Sequence, residues 1–141
     1  MLAVHNTLNW PPEKFLPYGP AVTAAMKKLA DRFPREVSVE HLAREIMIGK
    51  RQLWLILDDE KFVSFVLTEI QTNEANGLKT LVIPSFAGDE GEATVYLIGA
   101  LEDYGRENGC DEVIIYGRAG WKRSVGKQGY KPDMMVYRKA L

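Results

Sequence analysis

Apolar residues recur along this chain at two spacings, and the change from one to the other marks the elements. From Pro20 to Phe33 the stripe Val22, Ala25, Met26, Leu29 and Ala30 has the helical period, with Lys27, Lys28 and Asp31 opposite. Ser38 is placed to cap a second helix, in which Leu42, Ile46 and Met47 share a side and which Gly49 ends. The runs Leu53–Leu57 and Phe62–Gln71, joined by the polar turn Asp58, Asp59 and Glu60, predict a hairpin. After a loop from Asn73 to Gly77, Leu78, Leu81, Val82 and Ile83 predict a buried strand that stops at Pro84. Val95, Ile98, Leu101 and Tyr104 then return to helical spacing, and Gly109 ends that helix. A short strand at Glu112–Tyr116, a short helix at Gly120–Lys127 and a last strand at Met134–Arg138 complete the order. Met1 to Gly19 contains Pro11, Pro12 and Pro17 and is expected to be irregular, with Trp10, Phe15 and Leu16 tucked against the body.

Three strands in succession, followed by strands alternating with helices, predict an α/β (α+β) fold. Its central sheet would be mixed and mostly antiparallel, with helices on both faces. At 141 residues one domain spanning the whole chain is expected, and 46% hydrophobic residues suffice for a core. Eighteen basic against nineteen acidic side chains leave the overall charge silent about partners. One cysteine, Cys110, rules out an internal disulfide and suits a reducing compartment as a buried structural thiol. No apolar run is long enough to cross a membrane, and the first residues lack a secretory pattern, so a cytoplasmic location is expected. His5 and His41 have no partners at metal-ligand spacing, so no metal site is expected.

The strand Leu81-Val82-Ile83, Pro84, a glycine-containing turn and a long helix resemble the acyl-CoA-binding segment of the GNAT superfamily of N-acetyltransferases. Val113-Ile114-Ile115 followed by a helix resembles the family's next unit, and Gly129-Tyr130 stands where the family has Gly-Phe or Gly-Tyr. The resemblance extends from Pro20 to the C-terminus and implies a GNAT-like fold with acetyl-CoA as cofactor. It places the cofactor at Val82, Ile83, Phe86, Gly88 and Gly91, with Arg118 and Arg123 near its phosphates. It also implies Glu69 as the base that deprotonates an amine and Tyr116 as the acid that protonates the leaving thiolate. The run Arg118 to Arg123 further resembles short acetyltransferase-like proteins encoded by phages and prophages.

Two positions depart from the family. Its turn carries Arg or Gln ahead of the glycines, whereas this chain has Phe86-Ala87-Gly88-Asp89-Glu90-Gly91-Glu92. Its tyrosine near the end of the later helix is replaced by Val125. Asp89 and Glu92 have capping-box spacing, so Asp89 can cap the helix that a diphosphate would otherwise occupy. Two negative charges ~5 Å apart repel by about 3 kcal/mol at an effective dielectric of ~20. Against this stand Arg118, Lys122, Arg123, Lys127, Lys131, Arg138 and Lys139, with Asp133 the one acid from Val113 onward.

Two functions stay open on the sequence. One is an acyl-CoA-dependent N-acetyltransferase acting on a small-molecule or peptide amine. The other is a catalytically degenerate GNAT-fold protein of phage origin, with a structural or DNA-associated role and a virion or nucleic-acid partner. There the basic C-terminal third, with Trp121 and Tyr130, would meet the nucleic acid. The bland roles of Glu69 on a solvated strand and Tyr116 as an edge aromatic compete with the catalytic ones.

Overall fold

A computed structural model describes residues 1–84, 91–117 and 125–141, and the backbone alone for 91–96. The order is β1 (Leu2–Asn6), α1 (Pro12–Phe15), a 3-10 turn (Leu16–Tyr18), α2 (Gly19–Arg32), α3 (Val39–Met47), β2 (Arg51–Asp58) and β3 (Lys61–Thr72). Then come β4 (Lys79–Ile83), α4 (Gly91–Glu107) and β5 (Glu112–Ile115). The five strands form one mixed sheet in sequence order, antiparallel throughout except for the parallel pair β4–β5. That parallel pair needs a crossover, and α4 supplies it.

The sheet separates two cores because side chains alternate across a strand. Leu53, Leu55, Leu57, Phe65 and Leu67 face α2 and α3, where Val22, Met26, Leu29 and Leu42 close over them. Trp54, Ile56, Val66, Leu81 and Ile83 face the other way and pack with Leu101 of α4. Within this second core Trp54 Nε1 donates to Thr68 Oγ1 at 3.0 Å, and the Thr68 hydroxyl donates to Gln52 Oε1 at 2.8 Å. A buried tryptophan N–H needs such a partner. Trp54 also meets Tyr104 edge-on, with ring centroids 5.3 Å apart.

The hairpin, the two early helices, β4 and α4 stand where the apolar periods placed them. Ser38 does cap α3, its Oγ accepting from the His41 N–H at 3.4 Å. The hairpin turns at Asp59, in the left-handed region at φ 53°.

Four expectations require correction. The first residues are not irregular: β1 adds to the edge of β2 through Val4↔Ile56, and its pairing is a property of the neighbouring edge rather than of its own short pattern. Of the residues expected to tuck in, Trp10 and Phe15 pack on the first core, but Leu16 is exposed. On α3 it is Glu45, not Met47, that is buried beside Leu42, for a reason given below. Met134–Arg138 forms no strand, and Met134, Met135, Val136 and Tyr137 stand exposed. The helix expected at Gly120–Lys127 lies largely outside the described residues; its end, Val125 and Gly126, is helical, and Gly129 at φ 93° follows.

Candidate active site

One row of side chains crosses four strands. Arg51 of β2 stands opposite Glu69 of β3, Glu69 opposite Val82 of β4, and Val82 opposite Ile114 of β5. Facing residues in register share a side of the sheet, and the residues flanking Val82 and Ile114, namely Leu81, Ile83, Val113 and Ile115, belong to the α4 core. The row therefore lies on the α2–α3 side. Tyr116 follows β5 and its N–H donates to Ile83 O at 3.0 Å, which carries the parallel ladder one step further. Strand alternation brings Tyr116 to the same side as Glu69, their Cα atoms ~12 Å apart from two strand spacings of ~4.8 Å and two residues of ~3.3 Å.

Over this row α3 lowers a carboxylate. Glu45 is 3% exposed. Its Oε1 lies 2.5 Å from His41 Nε2, and its Oε2 lies 3.1 Å from Arg51 Nε and 3.4 Å from Lys50 Nζ. Burial pushes the Glu45 carboxyl up, but the Arg51 guanidinium and the Lys50 ammonium outweigh that and hold it below the usual carboxylate range. The same Arg51 Nε lies 4.0 Å from Glu69 Oε2, so one guanidinium balances two carboxylates. A charge this deep is tolerated because it is paired on several sides. This explains the exchange on α3: the turn that would have buried Met47 instead buries an anion that the start of β2 requires. Glu69 keeps 14% of its side chain exposed, enough to meet a small ligand or a water molecule.

The cofactor side is built from β4 running into α4. Val82 and Ile83 are buried, and β4 is bonded to β3 on one edge and to β5 on the other as far as the Ile83–Tyr116 bond. Gly91 is the first residue of the 17-residue helix α4. A helix of this length begins with unpaired N–H groups and a partial positive charge that suit a phosphate. Phe86, Gly88, Arg118 and Arg123 lie outside the described residues. Of the residues that would meet a diphosphate, only the start of α4 at Gly91 is described, and in the sequence the acidic residues Asp89, Glu90 and Glu92 stand beside it.

No protein-family model matches the chain, and no curated protein matches it by sequence. Solved structures do. Glucosamine-6-phosphate N-acetyltransferase from Arabidopsis thaliana superposes with a TM-score of 0.67 at 13% identity, over 99% of this chain and 98% of its own. An acetyltransferase from Trypanosoma brucei gives 0.65 at 16% identity over the whole of both chains. An aminoglycoside acetyltransferase from an uncultured soil metagenomic sample gives 0.67 at 13% identity, over 100% of this chain and 99% of its own.

The chain has the GNAT acetyltransferase fold.

On that fold Glu69, Val82 and Tyr116 share the α2–α3 side of the sheet near the C-terminal ends of β4 and β5, while Ile83 faces the α4 core on the other side. The Gly129-Tyr130 pair is held to α4: the Tyr130 hydroxyl donates to Glu102 Oε2 at 2.8 Å. Burial first, and the bond to Glu102 second, raise the Tyr130 phenol well above its usual range, so it stays protonated. Cys110, partly buried against the α4 core, is likewise pushed up by burial and rests as a thiol. Sequence reasoning missed the His41–Glu45–Lys50–Arg51 group and Glu102. Glu45 had a signal, since it lies three residues after Leu42 and therefore within the apolar stripe. His41 also has a carboxylate partner one turn on, although among the described residues no three His, Cys, Asp or Glu side chains gather as a metal site. Among those residues no helix is long and apolar enough to cross a membrane.

Proposed function

We propose that the protein is an acyl-CoA-dependent N-acetyltransferase whose acceptor is an amine. The observation that carries this reading is the row Arg51, Glu69, Val82 and Ile114, with Tyr116 beside it, at the strand-to-helix passage of a GNAT fold. Acetyl-CoA, when bound, supplies the activated acyl group. Glu69 accepts the proton of the acceptor amine, directly or through a water molecule, and the amine nitrogen then bonds to the acyl carbon as the carbon–sulfur bond breaks. The Tyr116 hydroxyl gives its proton to the departing sulfur, and solvent restores it. Arg51 balances the charge of Glu69 before the transfer, and Glu45 positions Arg51. The N–H groups that open α4 hold the diphosphate, with Arg118 and Arg123 supplying positive charge.

Titration calorimetry with acetyl-CoA, followed by thiol release in the presence of an amine panel, tests this. Saturable heat and amine-dependent thiol release are expected; no heat at millimolar ligand refutes the proposal.

A second reading rests on Val125 and on the acidic turn. On it the fold has lost acyl transfer and serves a phage particle or DNA through the basic residues of its C-terminal third. Amine-dependent thiol release eliminates this reading. A gel shift that falls steeply with salt, and is lost on changing Arg118, Lys122 and Arg123 to Ala, supports it.

A further inference from the structure

The turn that closes α3 fixes a lysine over the buried carboxylate of Glu45. Gly49 takes the left-handed conformation at φ 80°. Its N–H donates to Ile46 O at 3.1 Å, and the Lys50 N–H reaches back to Glu45 O at 2.9 Å. A helix closed in this way commonly packs one apolar residue on another at the two positions that Glu45 and Lys50 occupy. Here a carboxylate and an ammonium stand there instead, 3.4 Å apart.

Locally the exchange is unfavourable. Glu45 is an acid in the last turn of its helix, at the negative end of the dipole, and it is buried. In return it fixes a set of charges in place: His41 on one oxygen, Arg51 and Lys50 on the other. Arg51 is 18% exposed and is turned to two carboxylates, whereas Lys50 is 55% exposed. An ammonium has three donors, and in one direction this one faces Glu45 while the rest of the side chain faces solvent. The contacts from Lys50 to Glu45, from Glu45 to Arg51 and from Arg51 to Glu69 are 3.4, 3.1 and 4.0 Å, so the Lys50 ammonium lies within about 10.5 Å of Glu69 Oε2.

The charges of this group leave room for one kind of visitor. Glu45 and Glu69 are balanced by Lys50 and Arg51, and the other charged residues of α3 near them, Glu40 and Arg44, are exposed and of opposite sign. An acceptor that arrives at Glu69 as an ammonium tips the group to positive. A second, anionic group on the same molecule restores the balance if it can reach Lys50.

We propose that the acceptor amine carries an anionic group, a carboxylate or a phosphate, and that Lys50 holds that group while the amine faces Glu69. The inference rests on the acyl-transfer reading for the role of Glu69, and it makes Lys50 a residue that selects the acceptor.

Matched amines test it: β-alanine, 4-aminobutyrate and O-phosphoethanolamine against n-butylamine and ethanolamine. Each is followed by thiol release from acetyl-CoA, and by calorimetry with and without coenzyme A. The anionic amines should be preferred in kcat/KM by at least about fivefold, the discrimination that one half-exposed ammonium can supply, and salt should shrink the preference. Carboxylate against phosphate within the anionic set shows which anion is taken. Lys50→Glu should reverse the preference, and Lys50→Arg, which keeps the charge, should retain it. A preference that Lys50→Glu leaves unchanged overturns the proposal. Neutral amines that release thiol as fast as the anionic ones also overturn it, and leave acyl transfer standing. Binding of an anionic amine that Lys50→Glu abolishes, with no thiol release from any amine, upholds the place of Lys50 and refutes the transfer. Neither binding nor release with any anionic amine overturns the proposal.

Discussion

Glu69 stands directly opposite Val82 in the antiparallel ladder of β3 and β4. A candidate base thereby faces the strand that leads into the candidate cofactor helix, and Arg51 faces it from the other side. The three residues are held by backbone pairing, not by a loop, so their spacing is fixed before any ligand arrives. Replacing Glu69 with Gln keeps the shape and removes the proton acceptor. A general base contributes about 10²–10⁴-fold, so kcat should fall by at least about 10². The Kd for acetyl-CoA, measured by calorimetry, should stay within about twofold. If kcat is unchanged, Glu69 does not take the proton.

Tyr116 offers a separate test, because its backbone and its hydroxyl do different things. The N–H holds the end of β5 to Ile83 O, and Tyr116→Phe leaves that bond intact. Loss of the hydroxyl should lower kcat by about 10² with amine acceptors and leave the melting temperature nearly unmoved, since the side chain is 52% exposed. A loss of stability without a loss of rate would assign Tyr116 to the sheet alone.

Much of this fold was legible because its elements advertise themselves through periodicity. The runs Leu53–Leu57 and Leu81–Ile83 are apolar on successive positions, as strands covered on both faces must be. Two segments were not legible, and for one reason: strand pairing depends on what lies alongside. Leu2–Asn6 has little pattern of its own but finds the free edge of β2, whereas Met134–Arg138 has the composition of a strand and finds no neighbour in its own sheet. The site divides in the same way. Glu69 and Tyr116 could be located by counting along their elements, yet nothing local to Glu69 announces that Arg51 and buried Glu45 stand behind it. That arrangement needs α3 folded across β2, a long-range fact.

The Glu45 group makes acid stability predictable in sign. Its folded carboxyl titrates below its ordinary value of 4.5, so between the two values the unfolded chain binds more protons than the folded one. The stabilisation is therefore fully present above about pH 4.5 and is lost as the pH falls through the lower, folded value. Urea unfolding of the native chain across that range should show stability declining with acid. In Glu45→Gln the decline should be shallower, and at pH 7 the variant should be weaker by about 3 kcal/mol, because Arg51 is left with too little negative charge beside it. A variant as stable as the parent at pH 7 would show that the pair is not needed for folding.

Thr68 probes the other core. Its hydroxyl accepts from Trp54 and donates to Gln52, and all three residues are buried. Thr68→Val keeps the volume but strands both partners, each unsatisfied group costing about 1–3 kcal/mol. A loss of about 2–4 kcal/mol in urea is expected. Adding Gln52→Leu should recover part of it, since one of the stranded groups is then removed; a double variant weaker than the sum of the single changes contradicts the chain of bonds.

Two acids stand ahead of α4 in the sequence. Glu90 immediately precedes Gly91, the first residue of that helix, and Asp89 stands before it. Carboxylates beside a helix start take the place that a diphosphate would take, because both seek the same N–H groups and the same positive end of the dipole. A repulsion of about 3 kcal/mol corresponds to about two orders of magnitude in affinity. Asp89→Gly combined with Glu90→Arg should therefore tighten acetyl-CoA binding by up to about 10², and high salt should narrow the gap between variant and parent by screening. Unchanged affinity in the variant would mean that these acids do not set the strength of cofactor binding, and that Arg118 and Arg123 already offset them.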